Sequence, residues 1–224
     1  MTADDPQLVA DLAALREEYQ RSPLRRSELD VDPLSQFGRW FEEWLALDPF
    51  DANAMVLATV NAEGRPTARF VLLKGFGPSG FSFFTNYHSA KAGDAVARPV
   101  AALCFGWLPV ARQVRVEGRV ERVEEAESDA YWAARPRGSQ LGAWASDQSH
   151  VVPDRAHLDE RLRQVTERFE GRPVDRPPHW GGFRVVPDRY EFWQGRADRM
   201  HDRFRYRRPH AGPGGGWVIE RLAP

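Results

Sequence analysis

Lysine is almost missing from this chain. Of its 31 basic side chains only Lys74 and Lys91 are lysine, and all the others are arginine. Where a planar guanidinium occupies nearly every basic position, a retained ammonium on a flexible stem points to a contact that arginine makes less well. Lys74 closes the apolar run Arg69-Phe-Val-Leu-Leu-Lys74, and Lys91 ends the segment Phe83-Phe-Thr-Asn-Tyr-His-Ser-Ala-Lys91. Cysteine is scarce too. Cys104 alone can close no internal disulfide and build no thiolate metal site, and its apolar run Val100-Ala-Ala-Leu-Cys-Phe105 suits a small buried hydrophobe. Net charge is close to nil, −1 overall, which excludes a bulk electrostatic pull toward nucleic acid or membrane. The Arg-rich Arg203-Phe-Arg-Tyr-Arg-Arg208 alternates as a strand with a solvated face does. Neither a signal peptide nor an apolar run long enough to span a bilayer is visible. The expectation is a reduced, soluble, cytoplasmic protein with no nucleic-acid or membrane partner.

The 224 residues, 42% of them hydrophobic, can bury a substantial core. Leu8, Leu12, Leu15 and Tyr19 recur at helical spacing and predict a helix over residues 6–20. Asp32-Pro33 opens a second helix, with Leu34, Phe37, Phe41, Trp44 and Leu45 on its apolar side. From Ala54 the period shortens. Strands are predicted over Ala54–Val60, Thr67–Lys74 and Gly80–Thr85, then near 99–107, 112–123, 183–193, 201–207 and 216–222. Helices fall between them: a short one capped by Ser89 and carrying Lys91, and others over 125–134, 138–146 and 154–170. Residues 209–216, rich in Gly and Pro, read as a hairpin loop. Sequential strands with peripheral helices and no interdomain linker favour one antiparallel, mainly β, barrel-like domain.

Gly75-Phe-Gly-Pro-Ser-Gly80 matches a dinucleotide fingerprint in letters only. A strand follows it rather than a helix, and Pro78 removes an amide, so it reads as a hairpin turn. Strand periodicity would put Arg69 and Lys74 on opposite faces, so they serve two ligands or one of them is solvated. Tyr131, Arg135 and Ser139 recur every four residues, and on a continuous helix they would stack three phosphate-oxygen donors, although Pro136 interrupts that helix. Arg199, His201 and Arg203 alternate; on an extended segment they would face one side, just after the aromatic and amide of Trp193-Gln-Gly195. In each case an ordinary solvated face is the competing explanation. No histidine spacing supports a metal site: His150 and His157 are too far apart, and His88 and His179 stand alone.

Taken together, Arg69-Phe-Val-Leu-Leu-Lys74, Arg135-Pro-Arg-Gly-Ser-Gln-Leu-Gly-Ala-Trp144, Trp180-Gly-Gly-Phe-Arg184, Glu191-Phe-Trp-Gln-Gly195 and Arg199-Met-His-Asp-Arg203 resemble the pyridoxamine 5′-phosphate oxidase family. The resemblance runs nearly end to end, from Leu15-Arg-Glu-Glu-Tyr19 to Glu220-Arg-Leu-Ala-Pro224. It implies an FMN-binding split β-barrel with peripheral helices, active as a homodimer with flavin at the subunit interface. The implied reaction oxidises pyridoxine or pyridoxamine 5′-phosphate to pyridoxal 5′-phosphate, with electrons passing to O₂ to give H₂O₂. Position by position, the resemblance assigns Arg69 and Lys91 to the FMN phosphate. It assigns the backbone of Phe70, Val71, Leu72 and Leu73, running on to Lys74, with Phe84 and Thr85, to the flavin. Gln113, Gln148, Ser149, Trp193 and Arg203 complete that set. The substrate phosphate falls to Lys74, Tyr131, Arg135 and Ser139, and Arg199 and His201 lie against the pyridine ring as the catalytic pair. Arg16 and Tyr19 belong to an N-terminal helical segment, residues 1–50, that covers the site.

This chain departs from the family pattern twice. Ala90 stands where an arginine commonly precedes the lysine matching Lys91, which removes a charge-assisted contact of about 1.5–3 kcal/mol. Phe84 stands where tyrosine is frequent, keeping the ring without its hydroxyl. Two rival readings remain: a related FMN oxidase acting on another aromatic, as in the phenazine branch of the fold, and a flavin or pyridoxal-phosphate carrier without turnover. The phosphate-donor cluster weighs against the first, and retention of Arg199 and His201 against the second.

Overall fold

The computed structural model describes residues 6–15, 19, 22–209 and 216–224. Nine strands and six helices are described: α1 Pro6–Ala14, α2 Pro33–Leu45, β1 Ala54–Val60, β2 Pro66–Leu72, β3 Gly75–Gly77, β4 Gly80–Asn86, α3 Ala90–Ala97, β5 Val100–Trp107, β6 Arg112–Arg122, α4 Glu125–Ala133, α5 Arg137–Ala145, α6 Arg155–Arg168, β7 Trp180–Gln194, β8 Asp202–Arg207 and β9 Val218–Leu222. All nine strands join one sheet in the order β2-β1-β5-β6-β7-β4-β3, with β8 pairing β7 and β9 pairing β8. Every pairing is antiparallel. The fold is the expected antiparallel split barrel with peripheral helices.

Helix α2 supplies the plug of the core. Asp32 caps it, accepting from the amides of Leu34 and Ser35, and Pro33 takes the first turn, where an amide would go unused. Phe37 is fully buried and meets Phe76, Phe81 and Phe105 at ring separations of 5.0, 4.9 and 4.9 Å. Trp40, absent from the predicted apolar side, is buried, whereas Leu45 is exposed. A second, smaller cluster joins Trp132, Leu141, Val165, Phe169, Val174 and Trp180. It locks α4, α5 and α6 onto the first residue of β7.

Several predicted boundaries move. Helix α1 stops at Ala14 rather than residue 20, and Leu12 and Leu15 are exposed. The strand predicted to reach Lys74 ends at Leu72; the amide of Lys74 then bonds the Ser82 carbonyl at 2.9 Å. Lys74 therefore lies beyond the periodicity that set it opposite Arg69. Ser89 occupies the cap position of α3, but its side chain makes no capping bond. Cys104 is half-buried rather than fully buried, because it lies on the partly exposed face of β5. Gly75–Gly80 is indeed a hairpin, with β3 and β4 on either side of Pro78-Ser79. The predicted 209–216 loop lies mostly outside the described residues, as does Arg16.

Candidate active site

A cavity of about 430 Å³ opens between β2, β4 and the α4–α5 corner. Its apolar wall is Phe70, Val71, Leu72 and Phe84, and its polar groups come from Lys74, Thr85, Lys91, Tyr131, Arg135, Ser139 and Gln148. Residues predicted for two different ligands thus line one space. Strand β2 contributes through alternation: Phe70 and Leu72 project to the open side, while Thr67, Arg69 and Val71 turn inward. Phe70 is 78% exposed, a large apolar side chain left uncovered.

The Tyr131–Arg135–Ser139 spacing works by a different route from the one predicted. No single helix carries the three residues. Helix α4 ends at Ala133, Pro136 caps α5, and the corner between the two helices turns Tyr131, Arg135 and Ser139 into the same cavity. Arg135 is braced there, its guanidinium carbon 4.7 Å from the Trp180 ring and its Nη2 donating to the Ser139 carbonyl at 3.0 Å. Its Nε is buried with no hydrogen-bond partner among the described residues. A buried guanidinium N–H without a partner is costly. The Tyr131 ring stacks on Phe84 at 4.2 Å, and Lys74 Nζ lies 5.8 Å from the Tyr131 centroid. Phe84 can lie there because Gly182 faces it across the β4–β7 pairing; a Cβ at Gly182 would come within 2.8 Å of the Phe84 ring and 2.6 Å of Val123.

In the same cavity, Lys91 Nζ donates to Gln148 Oε1 at 2.9 Å and to Thr85 Oγ1 at 3.2 Å. Burial, followed by the nearby positive charge of Arg69, pushes the Lys91 ammonium below its ordinary range, and Asp94 opposes the shift. Arg69 is also lowered by burial and partly restored by Asp94. Two cations are therefore held close together in a partly desolvated place, an arrangement suited to a dianion. Ser149 does not line the cavity; it sits beside Gln148 with φ +75°, a left-handed conformation that costs energy for a non-glycine residue.

The remaining predicted residues form a second group. Gln113, Trp193 and Arg203 lie directly opposite one another across β6, β7 and β8, which puts all three side chains on one face. His201 packs 4.8 Å from Trp193, and Tyr19 meets both rings, at 5.7 and 5.8 Å. Gly195 makes room for Tyr19, since a Cβ there would fall 2.6 Å from that ring. His201 Nδ1 accepts from the Arg196 amide at 3.1 Å, so the neutral ring carries its proton on Nε2. Burial and then the Arg199 charge hold His201 below the usual 6.5. The predicted one-sided alternation of Arg199, His201 and Arg203 does not form. Arg199 belongs to a tight turn over Ala197–Arg199 with Asp198 and Arg199 at φ +53° and +59°, and only Arg203 is in β8. Gln113, Trp193, Arg199, His201 and Arg203 do not line the cavity of their own chain. Among the described residues no cluster of His, Cys, Asp or Glu could hold a metal ion, and no helix is long and apolar enough to cross a membrane.

Sequence reasoning missed Asp94, Thr59 and Thr67, which bind Arg69 from beneath, and the Trp180 platform under Arg135. Asp94 follows Lys91 by three residues on α3, a spacing that could have marked it.

Residues 42–169 match the family model described as pyridoxamine 5′-phosphate oxidase, and residues 180–224 match the model of the pyridoxine 5′-phosphate oxidase C-terminal dimerisation region. The pyridoxine/pyridoxamine 5′-phosphate oxidase of Rubrobacter xylanophilus is 56% identical over 214 residues, 96% of this chain and 97% of that protein. Oxidase 1 of the same name from Ralstonia nicotianae is 54% identical over 216 residues, 96% of this chain and all of that one. Among solved structures, PhzG from Burkholderia lata in complex with tetrahydrophenazine-1-carboxylic acid is 25% identical with a TM-score of 0.83, covering 93% of this chain and 100% of that one. A pyridoxamine 5′-phosphate oxidase-related, FMN-binding protein from Nostoc punctiforme shares the fold at 18% identity and a TM-score of 0.67, covering 86% of this chain and 98% of that one. Two family models that together span most of the chain, and relatives above half identity over nearly their whole length, lead to one conclusion: the chain belongs to the pyridoxamine 5′-phosphate oxidase family of FMN-dependent oxidases.

Proposed function

We propose that this enzyme oxidises pyridoxine 5′-phosphate and pyridoxamine 5′-phosphate to pyridoxal 5′-phosphate, with O₂ as acceptor. The alcohol and O₂ give the aldehyde and H₂O₂; the amine, O₂ and water give the aldehyde, NH₃ and H₂O₂. The observation that carries this reading is the meeting of Lys74, Tyr131, Arg135 and Ser139 in one cavity. A substrate without a phosphate has no use for that donor set.

FMN, when bound, supplies a two-electron acceptor that returns its electrons to O₂. Arg69 and Lys91 would hold its phosphate, and the Phe70–Leu73 backbone, Lys74, Phe84, Thr85, Gln148 and Ser149 would flank its ring and chain. The fit rests on Lys91, which lines the cavity beside its apolar wall, and on the nearby charge of Arg69, which does not line it. Lys74, Tyr131, Arg135 and Ser139 fix the substrate's phosphate, so its ring is oriented by a group that does not react. Gln113, Trp193 and Arg203, together with Arg199 and His201, would complete the site from a second subunit. Their separation from the cavity of their own chain supports this, as does the match of residues 180–224 to a dimerisation region. Arg199 would lie against the substrate ring, and His201, neutral and protonated on Nε2, would donate to the substituent on the reacting carbon. Tyr19 would cover the ring from the side of Trp193.

The structural likeness to PhzG favours a second reading, oxidation of a reduced phenazine carboxylate. One assay separates the two. Purified protein supplied with pyridoxine 5′-phosphate in air should form pyridoxal 5′-phosphate and H₂O₂ in equal amounts, and unphosphorylated pyridoxine should be turned over far more slowly. Equal rates with both vitamers, or turnover of the phenazine acid alone, would overturn the proposal.

A further inference from the structure

Beneath the cavity lies a small buried network that the reading above does not use. Asp94, on α3, is 7% exposed. Its Oδ2 accepts from Thr59 Oγ1 at 2.6 Å and from Thr67 Oγ1 at 2.8 Å. The two threonines face each other across β1 and β2 with their oxygens 3.0 Å apart. Arg69, two residues along β2, donates Nη1 to Thr59 Oγ1 at 2.7 Å and to the Leu57 carbonyl at 3.1 Å, and donates Nη2 to Thr67 Oγ1 at 2.6 Å. Its separation from Asp94 Oδ2 is 3.6 Å, so most of the carboxylate's hold passes through the threonines.

Proton counting gives this arrangement a direction. A carboxylate only accepts, and each hydroxyl has one proton. Both hydroxyl protons therefore point at Asp94, and both threonines turn lone pairs toward Arg69. Nη1 then has both protons engaged and Nη2 has one. Left over are the Nε proton and the second Nη2 proton, which lie side by side on one edge of the guanidinium and match two oxygens of a phosphate. Neither has a partner among the described residues.

We propose that Asp94 is a positioning residue for the flavin phosphate: it sets the protons of Thr59 and Thr67 so that they anchor Arg69 with its Nε–Nη2 edge free. The inference rests on the assignment of Arg69 to that phosphate made above. Asp94 also offsets the mutual repulsion of Arg69 and Lys91, which is the direction in which it shifts both groups. Its own negative charge acts the other way, weakening the attraction for a phosphate, so the two roles predict opposite signs.

The test is a fluorescence titration of flavin-free, full-length protein with FMN and, separately, with riboflavin, which lacks the phosphate. The parent should bind FMN more tightly, and Arg69→Ala should narrow that gap. A parent with no gap, or an Arg69→Ala variant that keeps it, would refute the phosphate assignment itself. With that assignment intact, Asp94→Asn should weaken FMN at least about ten-fold and leave riboflavin unchanged. Thr67→Val, which breaks one relay while keeping the charge, should do the same and decides the matter if Asp94→Asn does not fold. Equal or tighter FMN binding by Asp94→Asn would show that its charge dominates, and an equal loss for both flavins would show a structural role only. Either result overturns the proposal.

Discussion

Lys74 and Arg135 illustrate how two cations in one cavity divide their work. Arg135 is fixed by stacking on Trp180 and by its bond to the Ser139 carbonyl, whereas Lys74 reaches in on a flexible stem near the Tyr131 ring. On the proposed assignment, replacing either by alanine removes a charge-assisted contact to a phosphate that does not react. Steady-state kinetics should show KM raised roughly ten- to a hundred-fold, about 1.5–3 kcal/mol, with flavin content near normal. Lys74→Arg should also weaken binding, because a longer planar group cannot take the same position in a space already holding a guanidinium; parental kinetics would remove the significance of lysine scarcity at this position. His201 makes a pH prediction. Its pKa is depressed, so the folded state favours the neutral ring: this contribution is complete above 6.5 and is lost as pH falls through the lower folded value. Protonation at Nδ1 also breaks the bond from the Arg196 amide. Stopped-flow flavin reduction at saturating substrate should therefore fall off on the acid side, and His201→Gln should lack that limb. An unchanged acid limb in the variant would assign it to another group.

Elements place these side chains through close approaches that tolerate little change. Gly182→Ala would drive a methyl into the Phe84 ring and Val123, which should cost about 1–3 kcal/mol in stability and also raise KM, since Phe84 stacks on Tyr131. Asp32→Ala removes the α2 cap and should cost about 0.5–2 kcal/mol in urea unfolding while leaving KM alone, because α2 packs on the far core around Phe37. Comparable KM effects from the two variants would contradict this separation. The strands were readable because β1 and β5 alternate throughout between buried and more open faces, and β6 does so over residues 113–121. The phosphate cluster was readable only in part. Four-residue spacing found Tyr131, Arg135 and Ser139, yet what gathers them is the corner at Pro136, a tertiary effect of the Trp132–Trp180 cluster. The spacing from Lys91 could mark Asp94 itself, but its link to Thr59 and Thr67 was not legible, because they come from strands far away in sequence. Arg199 misled for a related reason: polar alternation suggested a strand, and consecutive left-handed residues made a turn.

At the scale of the whole molecule, one chain carries two separate sets of groups. The cavity of β2, β4 and the α4–α5 corner holds Lys74, Tyr131, Arg135 and Ser139, while the β6–β7–β8 face and the Ala197–Arg199 turn hold the aromatic, histidine and arginine groups. Phe70 and Leu72 remain open on the cavity side, as a surface awaiting a second copy would. Light scattering should find a dimer, and a monomer with full activity would contradict the proposed site. The most direct measurement mixes two variants. Lys74→Ala and Arg199→Ala, each much impaired as a homodimer, are unfolded and refolded together, and H₂O₂ release from limiting pyridoxine 5′-phosphate is compared with that of each alone. In a mixed dimer one site combines the intact cavity of one chain with the intact turn of the other. The predicted result is activity well above the sum of the two variants, with the parental KM. If mixing restores nothing although mixed dimers form, Lys74 and Arg199 act within one chain and the shared site is wrong.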